Sequence, residues 1–133
     1  MNCKRFALST IAGFIFAFAF EFLFHGKLLK PIYESTAHLW RTETEMQGYC
    51  GIAMGGLFLL VTALGYIFTR HYEGKGIGEG IRFGLMFGIL LGVAQFSMYA
   101  YMPIPMTLAL AWFGGALVEM VGVGIIFSLI YKK

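Results

Sequence analysis

Aspartate is absent from this chain, and only 13% of its 133 residues are charged. Soluble domains carry roughly 25% charged residues, so an ordinary water-soluble enzyme is excluded. Two cysteines are too few for a disulfide-stapled secreted module. So little charge on so short a chain also excludes a disordered protein, and frequent glycine with only three prolines and no low-complexity run suggests packed membrane helices. Without aspartate there is no Ser/His/Asp set, and neither a Cys/His nucleophile pair nor C-x-x-C occurs. The run from Gly74 to Gly80 fits neither G-x-G-x-x-G after a strand nor G-x-x-x-x-G-K-[ST]. No catalytic residue, cofactor or metal is therefore expected, and the protein reads as a non-enzyme. A net charge of +3, spread over helix ends, is no nucleic-acid footprint.

What the chain has in excess is apolar surface and glycine. Apolar residues make up 59%, the mean hydropathy is +0.75, and glycine occurs 18 times, about twice the usual 7% or so. A bilayer core of about 30 Å needs about 20 apolar residues per helix. Four spans meet this requirement, at 6–24, 43–69, 80–101 and 105–131. The first has a basic start at Lys4 and Arg5, but its apolar run is too long for a signal peptide and no A-x-A site follows. The expected architecture is an all-α, integral membrane four-helix bundle forming a single domain over 1–133.

Lysine and arginine set the expected orientation. Lys4, Arg5, Arg70, Lys75, Arg82, Lys132 and Lys133 fall on one side, and Lys27, Lys30 and Arg41 on the other. The richer side is expected to be cytoplasmic, with both termini there, in a bacterial inner membrane. Cys3 and Cys50 then lie on opposite sides, beyond reach of a disulfide.

Between the first two spans, Leu28, Leu29, Ile32, Tyr33, Thr36, Leu39 and Trp40 recur at helical spacing. An amphipathic interfacial helix over 31–41, starting at Pro31, is expected to lie on the outer surface. Thr42 and Glu45 form a capping box that begins the second span. Pro103 and Pro105 make a tight hairpin before the fourth.

Glycine is directional. Gly76, Gly80, Gly84, Gly88 and Gly92 recur every fourth residue, a glycine zipper along the third span where a neighbouring backbone can approach. Gly13 on the first span and Gly115 on the fourth lie on similar small-residue faces. Two acids share those faces. Glu21 is expected about 5 Å below the outer edge, near Gln95 and Ser97, and Glu119 about 20 Å down, level with Thr62 and Gly88. No lysine or arginine reaches the depth of Glu119, so its carboxyl is expected to stay neutral and hydrogen-bond across to a neighbour such as Thr62. Ionisable residues at that depth mark candidate sites.

At the outer surface, Glu21 with His25 and Glu34 with His38 are four apart on their helices. Such pairs fit a divalent metal if they converge, and ordinary ion pairs if they do not. Trp40 and Arg41 complete the outer candidates.

The elements Phe24-His25-Gly26-Lys27-Leu28-Leu29, Tyr33-x-x-Thr36-Ala37-x-Leu39-Trp40-Arg41, Glu73-Gly74-Lys75-Gly76-Ile77-x-Glu79-Gly80-Ile81-Arg82, and Pro103-Ile104-Pro105 with Trp112 resemble a family of small four-helix bacterial inner-membrane proteins. The resemblance covers nearly the whole chain. It implies the topology and a bacterial origin, and transfers no activity, cofactor or site residue.

Two functions follow as expectations. The first is a non-enzymatic accessory subunit of a larger membrane complex, or a homo-oligomer, acting through helix packing with lipid and other chains as partners. The second is a small proton-coupled transporter or channel with Glu119 as its intramembrane site.

Overall fold

The structure, a computed structural model, describes all 133 residues, and the fold is all-α with no strand. Six α-helices follow in order: α1 (Cys3–Leu23), α2 (Lys30–Ser35), α3 (Glu43–Gly48), α4 (Cys50–Arg70), α5 (Ile77–Phe96) and α6 (Met106–Ile130). Four helical segments, 3–28, 50–70, 77–100 and 106–130, are long and apolar enough to cross a membrane.

Each boundary has a local cause. Asn2 caps α1 by accepting the Arg5 N–H at 3.1 Å. Beyond Leu23 the helix widens into one π-helical turn, Phe24–Leu28, closed by the Leu29 N–H on the Phe24 carbonyl at 2.9 Å. The first span thus runs longer than 6–24.

The segment expected as one helix over 31–41 is broken. It ends at Ser35 because the Thr36 hydroxyl turns back to donate to the Ile32 carbonyl at 2.8 Å. A 3₁₀ turn at Ala37–Leu39 follows, and Trp40 is extended. The capping box at Thr42 and Glu45 is present, but it opens the short α3 instead of α4. The chain kinks at Tyr49, among Gly48, Gly51, Gly55 and Gly56, so 43–69 is two helices.

α6 is the hub. In its most apolar stretch 44% is buried, against 17 to 22% in the other three. α5 packs along it through glycine. A Cβ on Gly80 would meet the Gly124 backbone, and one on Gly84 the Met120 and Val121 backbone. At Gly88 it would lie 2.9 Å from Leu117 Cα, and at Gly92 2.9 Å from the Phe113 ring. Gly76 does not join this packing. It starts α5 with φ +70°, a conformation natural to glycine, and touches nothing.

α1 packs on α6 by rings entering glycine sockets. Phe16 fills the space over Gly122 and Phe24 that over Gly115, while Phe127 of α6 fills those over Gly13 and Gly65. The phenylalanines at 14, 16, 18, 20, 22 and 24 therefore divide between sockets and the exterior, with Phe18 and Phe22 exposed.

The end bearing both termini is closed by Phe68, Phe127, Tyr131, Val61 and Val123, all buried. Phe83 meets Phe68 edge-on at 5.2 Å there. α4 is buried in this core only from Val61 onward, with Leu57 and Leu60 half-buried against it. Its first half is buried at no position, and Gly51, Gly55 and Gly56 face open space.

The loop from α4 to α5 is held by Glu79. Its carboxylate accepts the N–H of Glu73 at 2.7 Å and of Lys75 at 2.9 Å, and the residue is buried. Gly74, at φ +76°, makes the turn that brings those amides round. Glu73 in turn pairs with Lys75 at 2.6 Å, and that contact holds its carboxyl below the usual carboxylate range. Replacing Glu79 by alanine should leave both amides without acceptor and cost about 1 to 3 kcal/mol. Hydrogen exchange is the check: the amides of Glu73 and Lys75 should exchange faster while those of α6 do not. Unchanged protection at Glu73 and Lys75 would count against the clamp.

Candidate functional site

At the end of the bundle opposite the termini, a line of polar side chains runs inward from the surface. Its inner member is Glu119, which is buried, with Oε1 hydrogen-bonded to nothing. Its neighbour is the carboxyl of Glu21 on α1.

From there the chain of contacts is explicit. Glu21 Oε2 lies 3.4 Å from Nε2 of His25, which sits in the π-helical turn. His25 Nδ1 is 2.6 Å from the hydroxyl of Tyr33 on α2. That same oxygen accepts the indole N–H of Trp112 on α6 at 2.8 Å. Trp40 stands beside them, edge-on to Tyr33 at 5.4 Å and to Trp112 at 6.2 Å, its own N–H donated to Thr36. Four elements thus supply one site.

Local folding explains the convergence. The widened turn carries the chain off α1 and back over the bundle, and Leu29 anchors the return against Ile104, Leu108 and Ala109. Pro31 starts α2. The break at Thr36 then folds Trp40 down on Trp112, where an unbroken interfacial helix would have carried it away. Burial raises the Tyr33 phenol above its ordinary value, with the Trp112 hydrogen bond opposing, so the hydroxyl keeps its hydrogen.

Above Tyr33 the site opens into a cavity of about 630 Å³. Its walls include His25, Lys30, Tyr33, Glu34, Trp40, Arg41, Glu43 and Met46. Below Glu119 the way is shut by Met120, Val123, Phe127 and Tyr131, all buried. The line of polar groups is open at one end only.

Several expectations require correction. Thr62 does not reach Glu119; its hydroxyl donates to the Phe58 carbonyl of its own helix at 2.7 Å. The partner of Glu119 is Glu21, which is not some 15 Å nearer the surface. Phe24 over Gly115 and Phe16 over Gly122 set the antiparallel register, placing Glu21 beside Glu119. Counting from the ends of apolar runs missed this because α1 continues through the extra turn to Leu28. Gln95 is exposed, and Ser97 donates to Val93, so neither joins Glu21.

Glu34 pairs with Lys30 at 3.8 Å instead of His38, which lies exposed in the 3₁₀ turn. The two Glu/His pairs do not converge, and no three His, Cys, Asp or Glu side chains cluster as a metal site. Arg41 stacks on Tyr49, its guanidinium 4.5 Å from the ring centre. Sequence reasoning missed Tyr33 and Trp112 as site residues. The available signal was that Trp112, one of two tryptophans, stands inside a helix long and apolar enough to cross a membrane, away from the helix ends where indoles of such helices usually rest.

No family profile, curated protein or solved structure matches this chain. Its function is read from the site alone.

Proposed function

We propose that the chain is a multi-pass protein of a bacterial inner membrane, with both termini cytoplasmic, and that it works without enzymatic chemistry as a small proton-coupled transporter or channel. The observation that carries this reading is the line Glu119–Glu21–His25–Tyr33, which joins a buried carboxyl to an open cavity. Each link is a group able to gain or lose a proton; Glu21 neighbours Glu119, and the contacts from Glu21 to His25 and from His25 to Tyr33 lie at ion-pair and hydrogen-bonding distance. The lysine and arginine asymmetry supports the orientation, with the cavity outside. The aromatic closure beneath Glu119 then corresponds to an outward-open state.

The test is proton movement in vesicles. Purified protein reconstituted with an internal pH dye should acidify the lumen when an acidic external buffer of small anions is supplied, without an imposed potential. Glu119→Gln keeps the size and polarity of the side chain while removing the exchangeable acid. It should lower the rate at least about tenfold without loss of folded protein, as expected for an intramembrane proton site. Equal rates for wild type and variant would end the transport reading.

A second reading, accessory subunit or homo-oligomer, is favoured by one observation. Gly13, Gly65, Gly80, Gly84, Gly88, Gly92, Gly115, Gly122 and Gly124 each meet a neighbouring helix closely, whereas Gly51, Gly55 and Gly56 meet none. Small residues at such positions suit close approach by another helix. Gly51→Val has no clash within the chain, so it should leave the fold intact and dissociate any assembly. Native mass spectrometry in mild detergent reads this directly; a wild-type monomer without bound chains would remove the second reading.

A further inference from the structure

Glu21 sets which way the hydrogen bonds of the site run. Its Oε2 lies 3.4 Å from Nε2 of His25 and is the acceptor there, so a neutral His25 carries its hydrogen on Nε2. Nδ1 is then an acceptor, and the 2.6 Å contact is the Tyr33 O–H donating to it. The indole N–H of Trp112, which only donates, uses the same Tyr33 oxygen as acceptor at 2.8 Å.

A second proton on His25 changes this. Nδ1 becomes a donor, and the Tyr33 oxygen accepts from both Trp112 and His25. The hydrogen of Tyr33 leaves that contact and needs a new acceptor. Tyr33 borders the cavity, so the acceptor belongs there.

The charges of the cavity indicate its kind. Lys30 lies beside Glu34. Arg41 has no carboxylate within ion-pair distance, and Glu43 has no cation within it. With His25 neutral, Lys30 and Arg41 balance Glu34 and Glu43; with His25 charged, the lining is positive. Of the other charged groups near His25, Glu21 faces it from α1 and Glu119 stands behind Glu21 on α6. Lys27 is turned over the Phe22 ring, 5.7 Å from its centre. The volume lies within the roughly 300 to 1,000 Å³ typical of small-molecule pockets.

On the proton-site reading above, we propose that the cavity binds a small carboxylate or phosphate anion, which accepts the Tyr33 O–H and pairs with Arg41, and that it binds together with a proton on His25. Anion and proton enter the site as one neutral pair.

Both tryptophans of the chain, Trp40 and Trp112, belong to this site, so intrinsic tryptophan fluorescence reports on it alone. Detergent-purified protein titrated with acetate and with inorganic phosphate should give a saturable change at about pH 5.5, and at least about tenfold weaker binding at about pH 8. Tyr33→Phe and Arg41→Gln should each weaken binding about tenfold, the usual scale for a lost charged or polar partner. His25→Gln should bind with the same affinity at both pH values. The same measurement in phosphatidylcholine vesicles, with and without phosphatidylglycerol, separates sources. A response to phosphatidylglycerol but to neither soluble anion assigns the phosphate to a lipid headgroup and supports the site.

Failure to respond to any of these anions overturns the proposal. So does binding that is independent of pH in the wild type, or unchanged in both Tyr33→Phe and Arg41→Gln. Failure of the transport reading looks different. Anion binding would keep its pH dependence while vesicles showed no proton movement, leaving the cavity as a binding site without transport.

Discussion

Gly84→Val should leave little protein in its native form. The position faces the Met120 carbonyl and the Val121 backbone of α6, and even a first carbon there would collide with both. Side chains can rotate out of such a collision, whereas the backbone of a helix cannot. The clash is relieved only by moving α5 away from α6, which also empties the contacts at Gly80, Gly88 and Gly92. Overpacking costs about 1 to 3 kcal/mol in ordinary cores and more where backbone is the obstacle. Gly114→Val is the control, because nothing lies within 4 Å of the Cβ position there. Melting followed by circular dichroism in detergent should show the Gly84 variant strongly destabilised or unrecoverable and the control near wild type. A Gly84→Val protein as stable as Gly114→Val would show that the α5–α6 contact is not so close.

Phe127→Ala acts at the closed end of the site. The ring is fully buried, lies 5.8 Å from Phe68 and 6.4 Å from Phe83 between ring centres, and fills the sockets over Gly13 and Gly65. Its removal should cost about 3 to 5 kcal/mol through lost packing and the space left behind. That space lies two helical turns, about 12 Å, from Glu119. It is also next to Thr10, whose buried hydroxyl has no partner and can hold a water. In vesicles the variant should therefore conduct protons passively, and Phe127→Ala combined with Glu119→Gln should not. A Phe127→Ala protein that melts lower yet stays proton-tight would mean that the ring is only packing.

The four long apolar helices and the glycine face of α5 from Gly80 to Gly92 could be read from the sequence because each depends on local pattern alone: run length for the helices, a four-residue repeat for the glycines. Register between helices could not be read. Glu21 meets Glu119 because Phe16 and Phe24 each choose a particular glycine on α6, and nothing along either helix states that choice. Thr36 shows the other limit. Its neighbours repeat with helical spacing, but one hydroxyl turned back on Ile32 breaks the helix and delivers Trp40 to Trp112. Periodicity recorded which residues face inward, and missed the bend that brings them together.

The ring-and-socket packing of α1 on α6 also restricts how this sequence can drift. A ring lost at Phe16 leaves a hole over Gly122, and a side chain gained at Gly122 meets the ring. Neither change is tolerated alone, but the two can be exchanged together. Related sequences should therefore vary at 16 with 122, at 24 with 115 and at 127 with 13 as linked pairs. Such linkage would record the helix register that no single sequence displays.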